Sequence, residues 1–161
     1  MKAILGTLFL GMLCSSCSIM NNIIPQERAK HISIRTTAYH PYERDHLKYG
    51  KTTAIGTKLH KGIIATDFSV FPVFTQLKIG GMIYQVEDYG SALIKPPNVI
   101  PTVDIFVTNK TEMKNWGVKY FNDVEIVQWG SYDQSLRILK DRLKYKHCRV
   151  MYNRILEKMK G

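Results

Sequence analysis

Three aspartates stand where a strand-rich chain has least use for them. Asp67 closes the segment Gly62-Ile-Ile-Ala-Thr-Asp67, Asp88 closes Ile83-Tyr-Gln-Val-Glu-Asp88, and Asp104 lies inside Val103-Asp104-Ile105-Phe106-Val107. Aspartate is depleted from strands, and burying even a neutral polar group without a partner costs about 2–7 kcal/mol. A carboxyl in such a place is hydrogen-bonded, faces solvent at an edge, or is used. Use has a definite chemistry. A partly desolvated carboxyl beside another carboxylate has a raised pKa, stays protonated near neutral pH and can donate a proton. Two or three carboxyls at strand ends therefore fit acid–base cleavage of a glycosidic bond. On spacing alone, a turn cap or an edge-strand charge is the commoner role for each.

Other residue types offer less. His40, His46 and His60 are spaced by six and fourteen positions, which matches no tight zinc signature, and no Cys joins them. They read as solvent-facing loop histidines. Trp116 and Trp129 are candidates for stacking on sugars, but Trp116, just before Gly117, reads as core. There is no nucleophile elbow, phosphate loop or dinucleotide fingerprint. No metal and no cofactor are implied.

The elements that must position the aspartates are short strands broken by turn signals. The pattern predicts strands over Ile32–Tyr39, Ile63–Asp67, Gln76–Ile79, Met82–Asp88, Thr102–Val107 and Val124–Trp129, with Gly80-Gly81 as a tight hairpin turn. Pro96, Pro97 and Pro101 make the stretch before Thr102 a loop. Asn109-Lys-Thr-Glu112 has capping-box spacing, so a short helix follows it and ends at Gly117. Six short strands and one helix in about 100 residues imply a small closed β-barrel or a sandwich over residues 31–130.

The flanks differ from this domain. Residues 1–17 (MKAILGTLFLGMLCSSC) place Lys2 before an apolar run of 11 residues, Ala3 to Leu13, and then small residues. That is the order of a secretory signal, and the run is shorter than the roughly 20 residues needed to span a bilayer. The Ser-Ser-Cys17 ending resembles a bacterial lipobox, although Cys14 stands where that motif usually has Leu; residues 18–30 would then be a tether behind a lipidated Cys17. Only Cys148 would remain after processing, so no internal disulfide is expected. Residues 131–161 carry nine Lys/Arg against three acids, +6 of a total net charge of +10. Leu136, Leu139 and Leu143, then Met151, Ile155 and Met159, recur at helical spacing. This reads as a basic amphipathic helix, continuous or broken near His147. It either packs on the barrel with its cationic face in solvent or contacts a membrane or wall polymer. At 161 residues, 45% hydrophobic and 22% charged, the chain is neither disordered nor a polytopic membrane protein. Its basicity favours a polyanionic neighbour.

The runs Thr37-Ala-Tyr39, Thr52-Thr-Ala-Ile-Gly56-Thr57, Gly62-Ile-Ile-Ala-Thr-Asp67, Pro72-Val-Phe-Thr75-Gln-Leu77, Glu87-Asp88-Tyr-Gly90-Ser-Ala92, Val103-Asp104-Ile-Phe, Trp116-Gly117 and Val124-Glu-Ile-Val occur in this order. Together they resemble the three-aspartate (3D) domain of the membrane-bound lytic transglycosylase A family and of smaller stationary-phase cell-wall hydrolases. The resemblance covers roughly residues 36–128. It implies a six-stranded double-psi β-barrel, a fold shared with rare lipoprotein A and expansins. The family usually has Gly where Phe74 stands, and a shorter, glycine-rich loop where this chain has residues 89–101.

What the resemblance implies for function is specific. The substrate would be the glycan strand of peptidoglycan, cut at the β-1,4 bond from N-acetylmuramic acid to N-acetylglucosamine with closure of a 1,6-anhydro ring. Asp104 would be the catalytic acid and then base, with Asp88 and Asp67 in support. Tyr39, Thr53, Gly90 and Lys95 would line the groove, and by analogy with expansin-type barrels His46 or His60 could join them. The protein would be an exported lipoprotein facing the wall, held by lipid at Cys17 and aided by the basic tail. The alternative is a non-catalytic, expansin-like wall-binding module with the same groove. A nucleic-acid-binding barrel is disfavoured by the export signal and by charge gathered in the tail rather than interleaved with aromatics.

Overall fold

The computed structural model describes residues 31–42 and 51–161. The segments expected to be an export signal and a tether, with Cys17, and also His46 lie outside the described residues. Six strands form, β1 His31–Tyr39, β2 Ile63–Thr66, β3 Gln76–Ile79, β4 Met82–Tyr89, β5 Thr102–Phe106 and β6 Lys119–Gln128. Three helices accompany them, α1 Lys110–Trp116, α2 Tyr132–Lys140 and α3 Lys146–Lys160. The strands close into a barrel in the order β1-β5-β2-β4-β3-β6, which decides barrel against sandwich. Two neighbouring pairs, β1–β5 and β2–β4, are parallel, and the other four are antiparallel.

Alternation along the strands fills the interior. Ile34, Ile64, Leu77, Val86, Val103, Ile105, Val124 and Ile126 are buried in one core with Phe68, Phe71 and Val73. Each such side chain contributes about 1.5–3 kcal/mol of burial free energy. Local signals set the turns. Gly80 and Gly81 both take positive φ (57° and 86°), as the two-residue hairpin between β3 and β4 requires. Asn109 Oδ1 accepts from the Glu112 N–H at 2.9 Å, and the Glu112 carboxylate reaches back to the Thr108 N–H and hydroxyl. Gly117 closes α1 at φ 63°. Phe74 stands at φ 69°, in the left-handed region, with its amide donating to Val86 O at 2.8 Å. The turn that a glycine would make without strain is therefore made here by a phenylalanine whose ring packs on the core.

Two expectations need correction. The last strand starts at Lys119, five positions ahead of Val124, because its first half pairs with β1 (Thr36↔Lys119, Arg35↔Tyr120, Ile34↔Phe121) around a bulge. The basic tail is two helices, and the break falls over residues 141–145, ahead of His147 rather than at it. Leu143 sits in the turn between them and Met159 is exposed. The tail supplies Leu139, Cys148, Met151 and Ile155, all fully buried, to the barrel's core. Gly130 sets its approach: a Cβ there would fall on the backbone of Pro72, Val73 and Thr75, and Ser131 N donates to Val73 O at 2.9 Å. No helix among the described residues is long and apolar enough to cross a membrane.

Candidate functional site

Strand pairing places two of the three aspartates in one row. Thr37 on β1 pairs with Asp104 on β5, Asp104 pairs with Ala65 on β2, and Ala65 pairs with Asp88 on β4. Directly paired residues point to the same side of a sheet. Because Val103 and Ile105 point into the barrel, the row lies on the outer face. Asp104 and Asp88 flank the small side chain of Ala65, with Cα atoms two strand spacings apart, roughly 10 Å. A second, smaller apolar cluster of Tyr39, Ile63, Ala65, Leu93 and Phe106 shields the same face.

The two carboxyls differ in their surroundings. Asp104 Oδ1 accepts from the Thr37 hydroxyl at 2.6 Å, which fixes its orientation. Asp88 Oδ1 accepts from its neighbour's amide, Tyr89 N, at 2.9 Å and from Ala54 N at 3.2 Å. Burial outweighs these bonds and the nearby Arg142 charge, and the Asp104 carboxylate adds to it, so the Asp88 carboxyl is pushed up to about 6. Asp88 therefore holds its proton in a range where ordinary carboxyls have lost theirs.

This has a consequence for stability. Asp88 binds its proton more tightly folded than unfolded. Its contribution is full below the unfolded value of 3.8 and is lost as pH rises through about 6. Such a shift corresponds to about 3 kcal/mol against folding at neutral pH. Asp88→Asn keeps an acceptor for both amides and removes the charge. Urea titrations should show the variant more stable by up to about 3 kcal/mol at pH 7.5 and nearly equal to wild type at pH 4. Equal stability at both pH values would mean that Asp88 carries no burial penalty.

The segment that delivers Ala54 N to Asp88 is held from behind by the tail. Arg142, in the turn between α2 and α3, donates to Ala54 O at 2.8 Å and to the Tyr89 hydroxyl at 3.3 Å. The Cys148 thiol donates to the same hydroxyl at 3.4 Å. Burial pushes the Tyr89 phenol above its ordinary range, so it stays protonated. Nothing local to Arg142 announces this role; it exists only because the tail folds back.

The remaining expected residues fall as follows. Asp67 lies beyond the end of β2, outside the row. Its buried carboxylate accepts from Ser69 N and Oγ at 2.8 and 2.6 Å and pairs with Arg154 of α3 at 3.1 Å. Thr53 is buried, with its hydroxyl bonded to that of Thr57 at 2.7 Å, so it shapes the Ala54 loop. Tyr39 is buried edge-on against Phe106. Gly90 caps the single turn Ser91–Leu93, and Lys95 lies partly exposed just beyond it. His40 is buried, with Nδ1 accepting from Tyr42 N at 3.2 Å. His60 is 3.6 Å from Glu87, a buried carboxylate that also accepts from Thr57 and Gln85. Trp116 donates to Thr36, and Trp129 stacks on Phe71. Among the described residues no cluster of three or more His, Cys, Asp or Glu could hold a metal ion.

No protein-family model matches the chain. A curated relative, the cell wall-binding protein YocH of Bacillus subtilis (strain 168), is 30% identical over 109 residues, which is 63% of this chain and 34% of that protein. The chain thus spans about a third of the length of the curated relative it matches.

Proposed function

We propose that the protein is a three-aspartate-type, double-psi barrel that acts on peptidoglycan as a lytic transglycosylase, with Asp104 as its acid and base. The observation that carries the proposal is the outer-face row: two carboxyls beside one another across Ala65, one hydrogen-bonded by Thr37 and the other pushed up to about 6. The parallel β1–β5 and β2–β4 pairs support the barrel type, and the likeness to a cell wall-binding protein supports the polymer.

In the proposed step Asp104 gives its proton to the glycosidic oxygen as the bond from the muramoyl anomeric carbon breaks. The 6-hydroxyl oxygen of the same sugar attacks that carbon, and its proton passes to the Asp104 carboxylate. The acid is thereby restored and no water is consumed. An internal nucleophile avoids much of the entropic barrier of recruiting a separate one. The Asp88 carboxyl, pushed up to about 6, is a titrating group beside the donor, so the rate should change as pH passes through about 6.

The test is mass spectrometry of the fragments that the protein releases from purified peptidoglycan. Anhydro-muropeptides are the expected product. Reducing ends would replace the transglycosylase with a hydrolase. Retention on the wall without release would favour the second reading, a non-catalytic wall-binding module, which the relative's name favours. Lipidation at Cys17, cleavage just before it that removes residues 1–16, and the division into a domain at 31–130 and a tail at 131–161 belong to the same proposal. Labelled fatty acid should enter the wild-type protein in an expressing bacterium and not Cys17→Ser.

A further inference from the structure

The outer face continues past the carboxylate row. Arg35 lies two residues before Thr37, so its side chain leaves β1 on the same side. It pairs with Thr102 on β5, two residues before Asp104, and with Tyr120 on β6. Arg35 and Tyr120 thus form a second row one pleat repeat away, roughly 7 Å along the strands. Arg35 is half-buried, and its guanidinium takes part in none of the ion pairs or side-chain hydrogen bonds among the described residues. Tyr120 is 63% exposed, the most exposed large hydrophobic side chain described.

These features ask for one kind of ligand. A partly desolvated guanidinium without a counter-ion is costly unless an anion completes it, and its planar fork fits a carboxylate through two hydrogen bonds. An exposed aromatic ring beside it offers a flat apolar surface with a polar edge, suited to the face of a sugar. We infer that Arg35 and Tyr120 form a binding subsite for a sugar unit bearing a carboxylate, adjacent to the Asp104–Asp88 row. This rests on the proposed glycan-directed function and extends it, since it specifies a charged unit next to the reacting bond. In peptidoglycan the carboxylate has two sources, the lactyl group of the muramoyl sugar where no peptide is attached, and the stem peptide where one is.

Binding of the full-length protein is measured against peptide-free glycan strands and against the same strands with their carboxyls capped as methylamides. Wild type should bind the carboxylated strands about tenfold more tightly, as a charge-assisted bidentate pair implies. Arg35→Gln should bind both strands alike, at the capped-strand level. Tyr120→Ala should weaken both equally and leave the ratio intact, which also controls for folding. Intact peptidoglycan then assigns the source: binding as tight as to bare strands places the carboxylate on the peptide, and weaker binding places it on the sugar. Equal wild-type binding of carboxylated and capped strands, or an undiminished ratio in Arg35→Gln, would refute the subsite while leaving the glycan function standing. Binding of neither strand nor intact wall would overturn both.

Discussion

Replacing Asp104 by Asn is expected to reduce anhydro-muropeptide release by about 10²- to 10⁴-fold, the usual worth of a positioned general acid and base. The substitution is nearly isosteric, and the amide oxygen can still accept the Thr37 hydroxyl that now meets Oδ1 at 2.6 Å. Fold and wall binding should therefore survive, and only the proton-transfer capacity is removed. Retention on insoluble wall, measured in parallel, separates the two properties. Full release by the variant would end the assignment of Asp104, and unchanged retention with no release by either protein would point to a binding module. Asp88→Asn should behave differently. It removes the neighbouring charge without removing the donor, so its effect should appear mainly as a displaced pH profile.

The largest effect on stability should come from just beyond the end of β2. Asp67 is 3% exposed, and its carboxylate is completed by Arg154. Arg154→Leu strands that charge in the core, and losing one partner of a buried pair typically costs about 3–5 kcal/mol. Because the arginine keeps some contact with solvent, about 3 kcal/mol is the expected loss in a urea titration. Adding Asp67→Asn should recover part of it, since the neutral amide no longer needs a cation. A loss below about 1 kcal/mol would show that the pair does not hold α3 to the barrel. The double variant, if folded, should keep its activity on peptidoglycan, because this aspartate lies outside the row that carries Asp104 and Asp88.

How much of this was legible depended on whether the signal was local. Gln76–Ile79 is a strand in the structure as in the sequence, because Gly80-Gly81 fixes its end and alternation fixes its face. The α1 helix carries both of its caps in its own sequence. Lys119–Asp123 ends in Asn122-Asp123, residue types that favour turns, and only β1 lying alongside makes it a strand. Leu143 fits a helical period but falls in a turn, where the period continues and the backbone does not. In the site, aspartates in strand segments stood out against strand chemistry. Arg142, Arg35 and Glu87 did not, since a cation in a basic tail, an arginine on a strand and a glutamate beside an aspartate are unremarkable until remote segments meet them.

The barrel also constrains the order in which the chain can become a protein. Thr37 bonds to a residue 67 positions later, and His31 to one 92 positions later. Both neighbours of β1 are therefore late arrivals, and two of the closures are parallel. Assembly dominated by such distant pairings is slow, because loop entropy is lost before contacts repay it. A ribosome that has made β1 through β4 has made four strands that cannot yet close. The barrel cannot close until β5 and β6 emerge, a delay that would suit passage through a narrow channel if the chain is exported as proposed. The same delay leaves its unpaired strands open to association with other chains. In an expression host that keeps the chain in the cytosol, the expected failure is inclusion bodies formed from the early strands rather than a folded but inactive protein.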